Sequence, residues 1–330
     1  MQEIPITEIE HVKIGHAQDM EHATGCTVLL LGEEGARAGL DVRGGGPASR
    51  ESELLKPVAA AEVIHAVLLS GGSAFGLDAA GGVMRYLEEQ GIGFAVGDVR
   101  VPLVCQSDIY DLGLVTSKVR PDAAMAYEAC RNAEKNCPAE GNVGAGTGAT
   151  VGKLLGPDTA MNSGLGLYAV QLGELKMGAV VAVNALGDIR DPETDEILAG
   201  LLTPDHQDFA DSEKTLYRLA AAAAAPEMSN TNTTIGAVIT NGHFTKTQLC
   251  KIASMAHNGY ARAIRPVHTM GDGDSIYALS VGDVVPADIN VAGTLAAHVM
   301  AQAIRRAALM TPPMYGLLSA QSLRKIRSRD

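Results

Sequence analysis

Tryptophan is absent and aromatic residues make up only 4% of the 330 residues, so Leu, Val, Ile, Met and Ala must fill whatever core the chain builds. No run of about 20 apolar residues is present to span a bilayer. There is no basic patch either: 26 basic residues face 38 acidic ones, and the net charge of −12 is spread along the chain, which argues against a nucleic-acid partner. The five cysteines, Cys26, Cys105, Cys130, Cys137 and Cys250, are odd in number and form no CxxC pair. That pattern fits reduced thiols in a reducing compartment. None of the nine histidines stands in HExxH or a comparable spacing, so no metal site is expected. The opening MQEIPITE puts acidic residues where a secretory signal needs a basic end and an apolar run; a cytoplasmic location is the expectation. No Gly/Ser-rich linker divides the chain, and 46% hydrophobic content allows one sizeable core, hence a single domain over residues 1–330.

What is present centres on residues 228–238, MSNTNTTIGAV. Upstream, residues 201–226 run through Pro, Asp and Ser into six alanines and end at Pro226, which reads as an exposed turn region and one short helix stopped by proline. Downstream, the β-branched and apolar run from Thr233 is closed by Asn241-Gly242, a strand followed by a turn. A cut between Asn232 and Thr233 would fall in accessible backbone and leave Thr233 anchored in a core strand. An N-terminal threonine can then act as a nucleophile with its own α-amine as general base. That amine titrates at roughly 7.7–8, well placed to take a proton near neutral pH. The plain alternative is a Thr-rich strand start.

Residues 141–153, GNVGAGTGATVGK, suggest a nucleotide site at first. The dinucleotide fingerprint needs a buried strand just before it, and polar residues 132–140 precede instead. The phosphate-loop pattern also fails, because Thr147 stands where its first glycine belongs and Leu154 replaces the hydroxyl residue after Lys153. No cofactor is therefore expected, and the glycines read as sites of close backbone approach. Further on, Asp272 and Asp274 lie two apart on a Gly-containing turn, a spacing at which two carboxylates can accept from an amine and a hydroxyl. A solvated turn is the alternative. His268, beside that pair, reads as a structural hydrogen-bonding residue.

An ordered set of stretches carries a resemblance: TGCTVLL from Thr24, DVRGGGP from Asp41, RESELL from Arg50, LSGGSAFGLD from Leu69, YDLG from Tyr110, GAGTGATVGK from Gly144, VAVNALGD from Val181, NTTIG from Asn232 and HTMGDGD from His268. Together the chain resembles the L-aminopeptidase/D-esterase family, which includes the β-aminopeptidases and nylon-oligomer hydrolases. The resemblance implies a self-processing hydrolase of small peptides or amides, cut into a large subunit of residues 1–232 and a small subunit of residues 233–330 that stay associated. It implies Thr233 as nucleophile and Asn184 as oxyanion-stabilising amide. Lys153 matches a lysine beside the nucleophile in the nylon-hydrolase branch, and Asp272 and Asp274 take the positions that orient the nucleophile's amine. Tyr110 matches a tyrosine of the substrate pocket, and Asp108 a carboxylate for a substrate ammonium group. The Asp-Gly-Asp form and the threonine side with the nylon-hydrolase-like branch. Homo-oligomers, tetramers among the family's members, are implied as well.

Candidate strands are residues 26–31, 66–69, 93–95, 178–183, 234–239 and 276–280. Candidate helices are 74–90, 123–135, 245–264 and 288–310, the last with Val291, Leu295, Val299 and Ala303 at helical spacing on Ala-rich faces. Strands alternating with helices favour an open parallel sheet; the resemblance instead implies an α/β fold of αββα four-layer sandwich type. Two rival functions differ in chemistry. An acyltransferase on a related fold would pass the acyl group to an amine and need an acceptor pocket. An unprocessed binding protein would run as one full-length band.

Overall fold

Residues from Thr233 onward are β-branched or small, and they form the strand Thr233–Gly242 near the middle of a six-stranded sheet. The structure, a computed structural model, describes residues 1–223 and 231–328. Leu175–Asn184 pairs antiparallel on one side of the Thr233 strand and Ser275–Val285 pairs parallel on the other. Leu165–Leu172 and Gln2–Glu3 extend the first side, and Arg37–Val42 closes the second. With neighbours on both edges and packed layers on both faces, the Thr233 strand is buried almost throughout.

A second, five-stranded sheet runs in the order Lys13–Asp19, Thr24–Leu30, Ala66–Ser70, Val104–Asp108 and Ala48–Arg50. The helices are α1 (Ala80–Glu89), α2 (Ala123–Ala133), α3 (Ser212–Ala221), α4 (Lys246–Ala263), α5 (Ile289–Leu309) and α6 (Ala320–Arg327). Side-chain caps start several of them: Asp122 accepts from Met125 N–H, Thr245 and Gln248 form a capping box, and Asp288 accepts from the N–H groups of Asn290 and Val291.

Alternation along the strands sorts the core into layers. Ile235, Ala237 and Ile239 join Leu29, Val67, Leu69 and Tyr277 in the cluster between the sheets. Val238 and Ile276 pack with Tyr260, Val299 and Met300 on the α4 and α5 side. Val28, Leu68, Val83 and Ala129 fill the space between the five-stranded sheet and α1 and α2.

The four expected helices are present with shifted ends. The segment expected to be helical from residue 74 begins as the 3-10 turn Ser73–Ala79 and becomes α-helical only at Ala80. In α5, Leu295, Val299 and Ala303 are buried as expected, but Val291 is exposed because it sits in the first turn. The strand expected near residue 94 is Phe94–Val96, part of a separate exposed hairpin with Val99–Val101. The open parallel sheet favoured by alternation is not what forms: only the Thr233 and Ser275 strands, and the Ala66 and Val104 strands, pair in parallel within the two large sheets. The short helix expected before Pro226 is α3; Pro226 itself lies outside the described residues.

Candidate active site

The antiparallel register sets Asn184, the last residue of its strand, directly across from Thr233. On the other side Asn232 bridges to Asp272 in parallel. The first residue of one central strand is therefore held between an amide side chain and a paired-carboxylate turn. Thr233 Oγ1 donates to the Asn232 carbonyl oxygen at 2.5 Å, and the same oxygen accepts from Gly273 N–H at 2.9 Å. Asn232 and Thr233 are 2% and 5% exposed. The expectation of accessible backbone at this bond is thus corrected: strand pairing on both sides encloses it, and an external protease would have to open the sheet to reach it.

Asn184 Nδ2 donates to the carbonyl oxygens of Tyr110 at 3.0 Å and Thr231 at 3.2 Å. Its Oδ1 accepts from Lys153 Nζ at 2.8 Å and from Thr150 N–H at 3.1 Å. These contacts fix which end of the amide is the donor. Lys153 Nζ also donates to the Asn184 and Thr231 carbonyl oxygens at 3.0 and 3.2 Å, so three acceptors match the three N–H groups of an ammonium. Burial opposes that charge and brings the lysine down to about 7, with the nearby carboxylates of Asp272 and Asp111 partly restoring it.

Asp274 Oδ1 accepts from Thr234 N–H at 2.7 Å, and Oδ2 accepts from His268 N–H at 3.1 Å with His268 Nδ1 at 2.7 Å. Asp272 Oδ2 accepts from the Thr269 N–H and hydroxyl, both at 2.6 Å. Burial first, and then the charge of Asp274, pushes Asp272 above the ordinary carboxylate range. The two carboxyls are nearly inaccessible, so the solvated-turn alternative does not describe them.

The triglycine of residues 44–46 explains how that turn is held. Gly44 and Gly46 N–H groups donate to Asp274 and Asp272 carbonyls at 3.4 and 2.8 Å. A Cβ on Gly44 would lie 2.2 Å from the Asp272 oxygen and 2.4 Å from Asp274 N. Gly44→Ala should therefore push the carboxylate turn off its position. The expected cost is about 1–3 kcal/mol, read from the urea midpoint, together with a drop in amide turnover.

A cavity of about 810 Å³, lined by Tyr110, Asp111, Thr150, Lys153, His206 and Tyr315 among others, reaches this cluster at Lys153 and Thr231. A second hollow, of about 680 Å³ beside His65 and Arg100, contains none of the residues above. Tyr110 lines the larger cleft. Asp108 does not. Gln106 and Asp108 point to the helix side of their sheet, where Gln106 Nε2 donates to the Gly76 carbonyl and to Asp108 Oδ1. Alternate residues Cys105 and Ile109 face the other sheet. Burial raises the Asp108 carboxyl far above its usual range, and a carboxyl so placed cannot meet a substrate amine in the cleft.

Asp111 does line the cleft, as does Asp158; Asp111 belongs to the YDLG stretch, whose resemblance assigns it no role. It accepts from Thr24 Oγ1 at 2.6 Å and Gly72 N–H at 2.8 Å, and burial raises it to about 6. A carboxyl raised in the folded state stabilises least once it is ionised: the penalty is absent below about pH 4 and complete above pH 6. Asp111→Asn can keep Gly72 N–H on its oxygen and hold Thr24 with its NH2 donating to Oγ1, without the charge. It should raise stability at pH 7 by on the order of 3 kcal/mol, measured by urea unfolding, and the gain should vanish at pH 3.5.

The matched family and its relatives make the chain a hydrolase acting on amide or peptide bonds, built on an α/β fold. The chain belongs to peptidase family S58, whose model matches residues 5–321. It is 37% identical over 309 residues to an uncharacterized aminopeptidase of Mycobacterium leprae, covering 87% of this chain and 82% of that protein. It is 31% identical over 278 residues to the 6-aminohexanoate-oligomer endohydrolase of Agromyces sp., covering 83% and 74%. Among solved structures, the L-aminopeptidase D-Ala-esterase/amidase of Ochrobactrum anthropi superposes with a TM-score of 0.69 at 17% identity, over 98% of this chain and 93% of that one. A β-aminopeptidase of Burkholderia sp. gives 0.65 at 19% identity, over 98% and 92%. At those identities the structures speak for the fold. No helix among the described residues is long and apolar enough to cross a membrane.

Proposed function

We propose that this chain is a self-processing amide hydrolase whose nucleophile is Thr233 after cleavage of the Asn232–Thr233 bond. The observation that carries the reading is the 2.5 Å contact of Thr233 Oγ1 with the Asn232 carbonyl, whose oxygen also receives the Gly273 N–H. In the cut, Oγ1 attacks the Asn232 carbonyl carbon, and its proton passes to the departing Thr233 nitrogen. The resulting ester is hydrolysed by water, leaving a carboxylate on Asn232 and a free amine on Thr233. During turnover Oγ1 attacks the substrate carbonyl and the α-amine takes its proton. Asn184 Nδ2 donates to the developing oxyanion, the amine product departs with the proton, and water releases the acyl group.

The intact chain is inactive on external amides for two reasons. It has no α-amine at Thr233, and Thr231 O occupies the donor that the oxyanion needs. Residues 1–232 and 233–330 would stay together as two subunits because the Thr233 strand is paired on both edges. The order of helices, sheet, sheet and helices is taken as an αββα four-layer sandwich. Lys153, Asp272 and Asp274 are assigned to the catalytic cluster and Tyr110 to the substrate wall. Small peptides or linear amides are the assigned substrates, supported by the oligoamide hydrolase among the relatives, with a cytoplasmic homo-oligomer as the working form. N-terminal sequencing of the mature protein should find a fragment beginning TTIGAV. An active preparation without that fragment would refute the assignment.

A further inference from the structure

We propose that His268 is a positioning residue of this site, acting through Asp274; the inference rests on the Thr233 reading above. His268 grips one carboxylate oxygen twice. Its backbone N–H and its Nδ1 both reach Asp274 Oδ2, at 3.1 and 2.7 Å, while Oδ1 is left to receive Thr234 N–H at 2.7 Å. Both Asp274 oxygens are therefore engaged, and the contact to an ionised Oδ2 calls for the tautomer with its proton on Nδ1. This fixes the rotation of the carboxylate relative to the residue that follows the nucleophile.

The ring cannot turn away. It stacks on Tyr260, with centroids 5.8 Å apart and planes at 26°, and meets the His257 ring edge-on at 4.7 Å. His257 Nε2 is in turn tied to the Asp41 carbonyl at 3.1 Å, and Tyr260 OH donates to the Ser275 carbonyl at 3.3 Å. His268 also has φ of 60°, a left-handed conformation that non-glycine residues adopt at a cost and that clusters at functional sites. Backbone geometry and ring packing converge on a single contact. Asp274 is 1% exposed and shares its turn with Asp272, so without the Nδ1 donor one buried carboxylate would face another with only backbone N–H groups to hold it.

Substitutions can separate the donor from the backbone. His268→Asn places a side-chain N–H where Nδ1 stood and tolerates the left-handed conformation. His268→Gly tolerates the conformation and has no donor. With an aminoacyl p-nitroanilide or a linear 6-aminohexanoate dimer as substrate, His268→Asn should keep kcat within about threefold of wild type. His268→Gly should lose about 10- to 100-fold in kcat, the size expected for a lost charge-assisted hydrogen bond, with KM little changed. The extent of self-cleavage at a fixed time, read on a denaturing gel, should follow the same order, and thermal unfolding of both variants shows whether they fold. Equal kcat for the Asn and Gly variants, whether both near wild type or both impaired, would overturn the role of His268. Thr233→Ala is run beside them: if that variant still turns over amides, the nucleophile assignment falls, whereas an inert Thr233→Ala with equal Asn and Gly variants removes His268 alone.

Discussion

Thr233→Ala is expected to accumulate as a single chain of 330 residues that hydrolyses no amide. Two separate events fail together, because one hydroxyl serves both. Without Oγ1 nothing attacks the Asn232 carbonyl, although Gly273 N–H would still be in place against its oxygen. Without the cut no α-amine is freed, and the chain beside Thr231 continues to fill the Asn184 donor. The loss should therefore reach the detection limit, in keeping with removal of a nucleophile whose absence leaves only binding and electrostatic effects. A denaturing gel and an amide assay on the same preparation decide it. Two bands from this variant, near the sizes of residues 1–232 and 233–330, would mean that another group makes the cut. Thr233 is 5% exposed and lies within a paired strand, so the smaller alanine should fold, and a soluble intact product is the expected form.

The strand that carries Thr233 was legible from its β-branched run, but Asn241-Gly242, read as the turn that closes it, lies inside the strand, which spans Thr233–Gly242. The Asp-Gly-Asp turn was legible for a similar local reason. Strands such as Arg37–Val42 and Val104–Asp108 escaped notice because their apolar runs are broken by Gly39 and Asp41 in one and by Gln106, Ser107 and Asp108 in the other. Buried polar residues hide a strand from any hydrophobic count. The misplacing of Asp108 has the same root. Which face of the Val104–Asp108 strand looks toward the second sheet depends on packing of distant segments, and both faces of that strand are buried, so alternation carries no sign of which residue meets the cleft. The enclosure of the Asn232–Thr233 bond was likewise invisible, since it comes from residues 184 and 272, contributed by two other strands or their turns.

Asn184→Ala is expected to separate turnover from self-cleavage. Its Nδ2 reaches the carbonyls of Tyr110 and Thr231 and not that of Asn232, whose oxygen is served by the Gly273 N–H. Removing the amide should thus leave the cut in place while lowering kcat by roughly 10²–10³, the usual consequence of losing one oxyanion donor. Alanine also strips Lys153 of its 2.8 Å acceptor, so a second variant is needed to assign the loss. Asn184→Asp keeps an acceptor toward Lys153 and the Thr150 N–H but has no N–H to donate. It should be at least as impaired as the alanine variant, because it sets a carboxylate where negative charge develops. If Lys153 placement were the source of the effect, the aspartate would recover much of the rate. An unchanged kcat in Asn184→Ala would remove the residue from the oxyanion role, and loss of self-cleavage in the same variant would mean that the Gly273 N–H does not suffice for the first acyl transfer.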